Sequence, residues 1–493
     1  MTIRLSKSKF VAGCQCLKRL YLLVHEPELA VAPDAADRAI IEQGRQVGLL
    51  AREMFPGGVA VECRNREQAI RATRNLICNP QVPAIFEAAF EYRNVFVRVD
   101  VLERRRNQRW RLIEVKSSTD VRDHHLEDVA IQYRVASGTG LDLAACSLAY
   151  VNRDYVYQGG FIEPQSFFKI VNMTCQVAKS QSDIATQIGS DFGMLSKPTS
   201  PQIAPGQQCS RPIICEFFAH CNPPRPHDHV GFLPRIHRSV VEALEEIGVE
   251  SIRDIPHGFE LSDIQRRAAT CVQTGEPWFS PQLRDVLGGL THPLYFADFE
   301  TVNRCIPRFA GMRPYDHLPF QWSVHVQREP GAEPEHYEFL ATYSSDPRRE
   351  FISSLCAALG ERGSIVVYSS FESQRLSELG SWLPEFADRI VAIQARLFDL
   401  LPILREHVYH PAFGGSYSLK SVLPALVPEM TYEGMEIADG QDARLAWEAL
   451  MRGTVDVAAR VRIRQALLNY CGKDTLALVR LLDKVKGSTE EQH

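Results

Sequence analysis

In the segment VFVRVDVLERRRNQRWRLIEVKSS, Val95, Val97, Val99 and Val101 alternate with Arg98 and Asp100, and a second apolar run, WRLIEVK, follows a polar stretch. A period of two on both sides of a polar turn predicts a β-hairpin. In LYFADFE, Leu294, Phe296, Asp298 and Glu300 share one face of a predicted strand. SIVVYSS predicts another strand and ALLNYCGKDTLALVRLLDKV a long helix, so the chain from Leu294 onward is expected to be α/β. Residues 231–280 show helical spacing broken at Gly248, with a second helical start after Leu261, Ser262 and Asp263. A proline-punctuated exit, QQCSRPIICEFFAHCNPPRPH, closes the first region. The expected division is a domain at 1–225, a helical connector at 226–285 and a second domain at 286–485, with GSTEEQH as a frayed tail.

Composition narrows the class. With 493 residues, 45% hydrophobic and 23% charged, the chain has ordinary globular values, which exclude a fibrous or disordered protein. Fifty-five Lys and Arg against 60 Asp and Glu leave a net charge of -5, so uniformly basic wrapping of nucleic acid is excluded and any such contact needs local patches or metals. The start, MTIRLSKSKFVAGC, lacks the apolar core of a signal peptide, and no apolar run reaches the roughly 18 residues of a membrane span. A cytoplasmic protein without a membrane partner is expected. In a reducing compartment, a cluster among the 13 cysteines suggests a metal or an iron-sulfur centre before disulfides.

Three constellations carry candidate chemistry. Glu114 and Lys116 lie two apart and share a face, and pairing across the hairpin brings Asp100 beside them. Two carboxylates suit Mg²⁺ or Mn²⁺, and a lysine offsets charge building on a phosphate. Cys209, Cys215 and Cys221 have C-x5-C-x5-C spacing, with Cys16 near the start and Cys14 as its substitute, a thiolate set that suits iron-sulfur or zinc. Asp298 and Glu300 sit side by side on a strand, while Tyr470 and Asp474, four apart, stack on one helical face.

The spacing D-x13-E-x-K, followed by Gln132 and Tyr133 in DVAIQYRV, resembles the core of PD-(D/E)XK nucleases of the RecB type. Residues 1–225 are similar to the iron-sulfur members, CRISPR-associated and AddB-like, which implies a restriction-endonuclease-like fold with Asp100, Glu114, Lys116 and Gln132 at its centre. It also implies a 4Fe-4S cluster on Cys16, Cys209, Cys215 and Cys221. Where that family often places an early metal-binding His, EQGRQVGLLARE offers Gln46, so Glu87 is the candidate third ligand, with Glu42 behind it. D-x-E with a distant Y-x3-D resembles the DnaQ-like DEDDy exonucleases, which implies an RNase H-like fold with Asp298, Glu300 and Asp474 as metal ligands and Tyr470 positioning water. Glu372 in VVYSSFESQRL takes the middle acidic position, with Asp399 as alternative. The connector faintly resembles a helix-hairpin-helix element, whose turn amides hold a DNA backbone.

Together these resemblances imply a metal-dependent nuclease with two catalytic centres, single-stranded or end-processing, for which DNA is expected ahead of RNA while the sequence leaves both open. The run Arg104, Arg105, Arg106, Arg109 and Arg111 is placed to follow phosphates or simply to form a solvated turn. The competing expectation is a catalytically weak nucleic-acid-binding or assembly protein of a repair or defence complex.

Overall fold

The computed structural model describes residues 3–342, 345–453 and 455–490, and they form a mixed α/β protein. The chain divides into two compact units, Met1–Pro224 with Arg304–Asp316, and Arg225–Asn303 with His317–His493. The first break falls one residue from the expected boundary, but the connector is no separate piece. Its Leu244, Ala268 and Val272 share a core with Tyr409, and β8 (Trp278–Phe279) pairs with β14 (Val408–Tyr409), because so short a segment cannot bury a core alone. The excursion Arg304–Asp316 belongs to the first unit, where the Cys305 amide donates to Gln43 Oε1 at 3.0 Å and the Tyr315 hydroxyl donates to Ser117 O at 2.5 Å.

The first unit is built on a seven-stranded sheet in the order β2 (Val59–Ala60), β3 (Ala84–Tyr92), β4 (Val95–Arg104), β5 (Trp110–Lys116), β6 (Leu143–Val151), β7 (Phe168–Asn172), with β1 (Leu5–Ser6) beside β4. Strands β3, β4 and β5 run antiparallel, as the hairpin pattern predicts, and helix Asp123–Gly138 carries the chain from β5 to the parallel β6. Val129, Ile131 and Val135 of that helix pack with Val97, Leu112 and Leu148 on one face. Val101, Ile113 and Ala149 face the other way, toward Val47 and Ala51 of helix Ala35–Arg52.

The alternation expected through Val101 slips by one at Asp100. Val95, Val97 and Val99 lie in the same core as Leu102, whereas Val101 lies in the opposite one. The neighbouring strand slips at the same level: Ile85 and Ala88 share a core, and Glu87 between them has φ 56°. An irregularity of this kind re-aims a side chain. Here it turns Asp100 to the face of Glu114, which stands across from it one step beyond the Val101–Ile113 pair.

The second unit has a five-stranded sheet ordered β11 (Glu335–Leu340), β10 (His317–Gln327), β9 (Leu294–Asn303), β12 (Ile365–Val367), β13 (Leu397–Asp399). The first three form an antiparallel meander, and β12 and β13 run parallel to β9. Leu294 and Phe296 pack with Leu478 and Leu482 of helix Val457–Glu490, while Tyr295, Ala297 and Phe299 pack on Phe351, Leu355 and Leu376 behind the sheet. Because β12 pairs with β9 only at Tyr295 and Phe296, the edge of β9 opens beyond that point, where Asp298 and Glu300 lie.

Two further expectations are corrected. The last helix runs through Gly487 to Glu490 instead of fraying at GSTEEQH, because Val485 and Ser488 are buried and the Ser488 hydroxyl donates back to Lys484 O at 3.0 Å; residues 491–493 lie outside the described residues. In the connector, Gly248 turns at φ 78°, but the amides of Gly248 and Val249 already donate to Glu245 O and Leu244 O. With Glu242, Glu245, Glu246 and Glu250 around it, the turn carries acidic charge, which disfavours a helix-hairpin-helix contact to a DNA backbone. Among the described residues no helix is long and apolar enough to cross a membrane.

Candidate functional site

In the first unit, Glu114 is buried at the end of β5 and is held from three directions. Lys7, first residue of helix Lys7–Gln15, donates to both its oxygens at 2.8 and 3.1 Å; Lys116 lies 2.9 Å away; Gln132 Nε2 donates at 2.5 Å. Burial raises the Glu114 carboxyl, but Lys7, Lys116 and Gln132 outweigh it and hold the group below the usual carboxylate range. Asp100 accepts the Val115 amide at 2.7 Å, and burial followed by Glu114 pushes it up to about 7. Lys116 is shared with Asp128, one helical turn before Gln132. Burial lowers Lys116, yet Glu114 and Asp128 raise it overall, so it is a cation as it stands.

All four residues expected at this centre are thus brought together. Glu87 is half-exposed, pairs with Arg52 at 3.3 Å and adds its charge to the field at Asp100. Glu42 pairs with Arg45 and accepts from Gln46 along its own helix, leaving Glu87 the nearer acid. Tyr133, next to Gln132 on the same helix, packs against the core. Sequence reasoning missed Lys7 and Asp128. Asp128 was legible as the residue four before Gln132 on one helical face, whereas nothing local marks Lys7.

Cys16, Cys209, Cys215 and Cys221 line one small pocket with Lys18, Arg19 and apolar Leu22, Phe217 and Phe218. The Cys215 amide donates to Cys209 O at 2.9 Å, and Gln15 Nε2 donates to Gln208 O and Ile213 O, tying the start of the unit to its end. Burial pushes the Cys215 thiol up. Cys14 is not among the residues lining that pocket and lies in the field of Glu127 and Asp191.

In the second unit, Asp298, Glu300 and Asp474 offer ligand atoms that lie within 4.8 Å of one another. The strands bring them there: Asp298 and Glu300 follow the last β9–β12 pair, Glu372 is the second residue of helix Phe371–Trp382 after β12, and Asp399 ends β13. Four acids therefore gather at the carboxyl ends of β12 and β13 and on the stretch of β9 that runs past them, the end of an α/β sheet where ligands bind. Burial, then Asp474, Glu300 and Glu372, raise Asp298 well above its ordinary range. Burial and Asp474 push Glu300 up to about 8, and burial pushes Glu372 to about 8. Asp474 is pushed to about 6 by burial, opposed by hydrogen bonds from Tyr432 and Tyr470. Glu372 is 4% exposed with Oε2 unpartnered, whereas Asp399 caps the next helix by accepting the Leu401 amide at 3.0 Å. Tyr432 was not foreseen; its hydroxyl donates to Asp474 Oδ1 from a loop with no periodic signature. Cys471, one helical turn before Thr475, donates to Asp298 Oδ2 at 3.4 Å.

The hairpin arginines are largely engaged. Arg104 stacks 4.2 Å from the Trp110 ring and donates to Ile77 O, Asn79 O and Val82 O, Arg105 and Arg111 share Glu103, and Arg109 pairs with Asp142. Residues 295–418 match a family described as a domain of unknown function, DUF2779, a span that contains Asp298, Glu300, Glu372 and Asp399 but stops short of Tyr470 and Asp474. No curated protein matches the chain.

Proposed function

We propose that the chain is a metal-dependent nuclease that hydrolyses phosphodiester bonds of DNA at two centres, a PD-(D/E)XK-like one in the first unit and a DEDDy-like one on an RNase H-like second unit. The observation that carries the reading is the gathering of half-buried Asp298 with buried Glu300 and Asp474, and Glu372 beside them. Buried like charges that raise one another are costly unless a cation joins them. An all-oxygen donor set fits Mg²⁺ or Mn²⁺, which when bound supplies Lewis acidity toward phosphoryl oxygens.

The chain's own residues divide the remaining work. Asp298, Glu300 and Asp474 hold the cation and fix where the phosphate docks, and Glu372 extends the anionic wall. The Tyr470 hydroxyl, beside Asp474, stays a neutral phenol because burial and Asp474 raise it, so it orients attacking water as a hydrogen-bonding group. In the first unit Asp100 and Glu114 are the cation ligands, with Glu87 as third. Lys116 offsets charge on the phosphate, and Gln132 fixes the rotamer of Glu114. Cys16, Cys209, Cys215 and Cys221 suit a 4Fe-4S cluster: the donors are all sulfur, they share one pocket, and Lys18 and Arg19 offset thiolate charge. That cluster would hold the ends of the first unit together and takes no part in hydrolysis.

A second reading, in which the first centre binds DNA without cutting it, is favoured by Lys7, which occupies both oxygens of Glu114 that a cation would use. The test is end-labelled single- and double-stranded DNA, with RNA alongside, incubated with Mg²⁺ or Mn²⁺. Lys116→Ala and Asp298→Ala are each expected to remove part of the cleavage, with additive losses. If Asp298→Ala abolishes all of it in a folded chain, the first centre is inert; no cleavage by wild type under any condition removes the nuclease reading.

A further inference from the structure

Lys420 is the second residue of helix Leu419–Leu426, whose Val422 and Leu423 are locked into the same core as Leu478 and Leu481 of the helix that carries Asp474. Its ammonium lies 5.9 Å from the centre of the Tyr432 ring. Tyr432 in turn donates to Asp474, and Lys473 Nζ donates to Thr431 O, pinning the loop from the other end. Lys420 itself makes no side-chain hydrogen bond or ion pair among the described residues, although its charge lowers both Glu300 and Asp474. An exposed cation close enough to act on the carboxylate cluster yet bonded to none of its oxygens is placed for a third party.

Resting on the nuclease reading of this centre, we propose that Lys420 is a catalytic residue whose ammonium contacts the phosphodiester of the strand held at Asp298, Glu300 and Asp474, and that Tyr432 is the positioning residue that sets both Lys420 and Asp474. An ammonium is a point charge suited to phosphate oxygens. It acts where charge develops as the P–O bond to the leaving group breaks and water's oxygen bonds to phosphorus, the attacking water giving a proton up to solvent and the leaving oxygen taking one from it. The carboxylates cannot fill this role, because they are themselves anionic.

The experiment uses the full chain with the first centre disabled by Lys116→Ala. Lys420→Met is expected to lower kcat on an end-labelled single strand by on the order of 10²-fold, while Mn²⁺ affinity, read by electron paramagnetic resonance, stays the same or tightens because a repelling charge has gone. Lys420→Arg should restore much of the rate, and Tyr432→Phe should lower kcat less than Lys420→Met. Unchanged cleavage by Lys420→Met overturns the proposal, as does joint loss of Mn²⁺ binding and cleavage, which would make Lys420 a support of the cluster. If the Lys116→Ala chain does not cleave at all, a phosphorothioate strand in Ca²⁺ separates the two ideas. Weaker binding by Lys420→Met then keeps the lysine's phosphate contact while hydrolysis at this centre fails, and equal binding removes both.

Discussion

Lys7 donates to both carboxylate oxygens of Glu114, at 2.8 and 3.1 Å, across 107 residues of chain. Burial opposes a charge on Lys7, and Glu114, Asp100 and Asp128 together hold it protonated. An ammonium in that position stands in for part of the charge that a divalent cation would bring. Lys7→Met is therefore expected to destabilise the first unit by about 3 kcal/mol, the scale for breaking a buried pair from one side, and to tighten Mn²⁺ binding there. Urea unfolding in the presence of a chelator, followed by a Mn²⁺ titration, checks both; equal stability and equal affinity would make the contact incidental.

At the second centre, with the first disabled by Lys116→Ala, Tyr470→Phe is expected to slow cleavage by roughly 10²-fold, the range for losing a positioned proton-transfer group. Metal and DNA binding should stay near wild type, because the ring's packing is kept. Asp474→Asn should do more, since it removes a ligand from the triad and weakens metal affinity as well. Single-turnover rates beside Mn²⁺ titrations separate the two; a full rate in the phenylalanine variant would leave Tyr470 a packing aromatic.

Anaerobically purified protein is expected to be brown, and Cys215→Ala to lose the colour together with much of the first unit's stability. Linking Cys16 to Cys209, Cys215 and Cys221 closes a loop of most of that unit, a constraint on the order of 4–5 kcal/mol by analogy with a disulfide. Cleavage that depends on Asp298 should survive, because no ligand of the second centre lies in the first unit. Iron, sulfide and zinc assays decide the metal: stoichiometric zinc keeps the staple but refutes the cluster, and neither metal refutes both.

Asp191 is fully buried in helix Thr174–Leu195, accepts from Gln187 at 2.8 Å and leaves Oδ2 unpartnered. Burial pushes it up to about 7 from an unfolded value of 3.8. A raised folded value means stability that is fully present below about pH 4 and is lost as pH rises through about 7, on the order of 4 kcal/mol at most. Asp191→Asn should flatten that dependence and stabilise the chain at pH 8, as read by thermal melts from pH 5 to 8. Gly13→Ala should destabilise it, because an added Cβ would sit 2.5 Å from Asp191 Oδ1.

By itself the sequence determined the elements whose signals are local. The hairpin of β4 and β5, the strand bearing Asp298 and Glu300, the helix stacking Tyr470 on Asp474 and the break near residue 225 all follow from periods of two or 3.6 and from proline punctuation. The gathering of Cys16 with Cys209, Cys215 and Cys221, and of Asp100 with Glu114, Lys116 and Gln132, was also legible, through spacing and resemblance. Tertiary structure alone decided what depends on distant chain. The slip at Asp100 is shared with Glu87 on the neighbouring strand, and the burial of Val485 and Ser488 extends the last helix past a glycine that local propensity would end it at. Lys7 and Tyr432 reach their carboxylates, and Lys420 its place beside the Tyr432 ring, through contacts that no local spacing marks. Their placement follows from packing and from the pull of buried charge, neither of which leaves a period in the sequence.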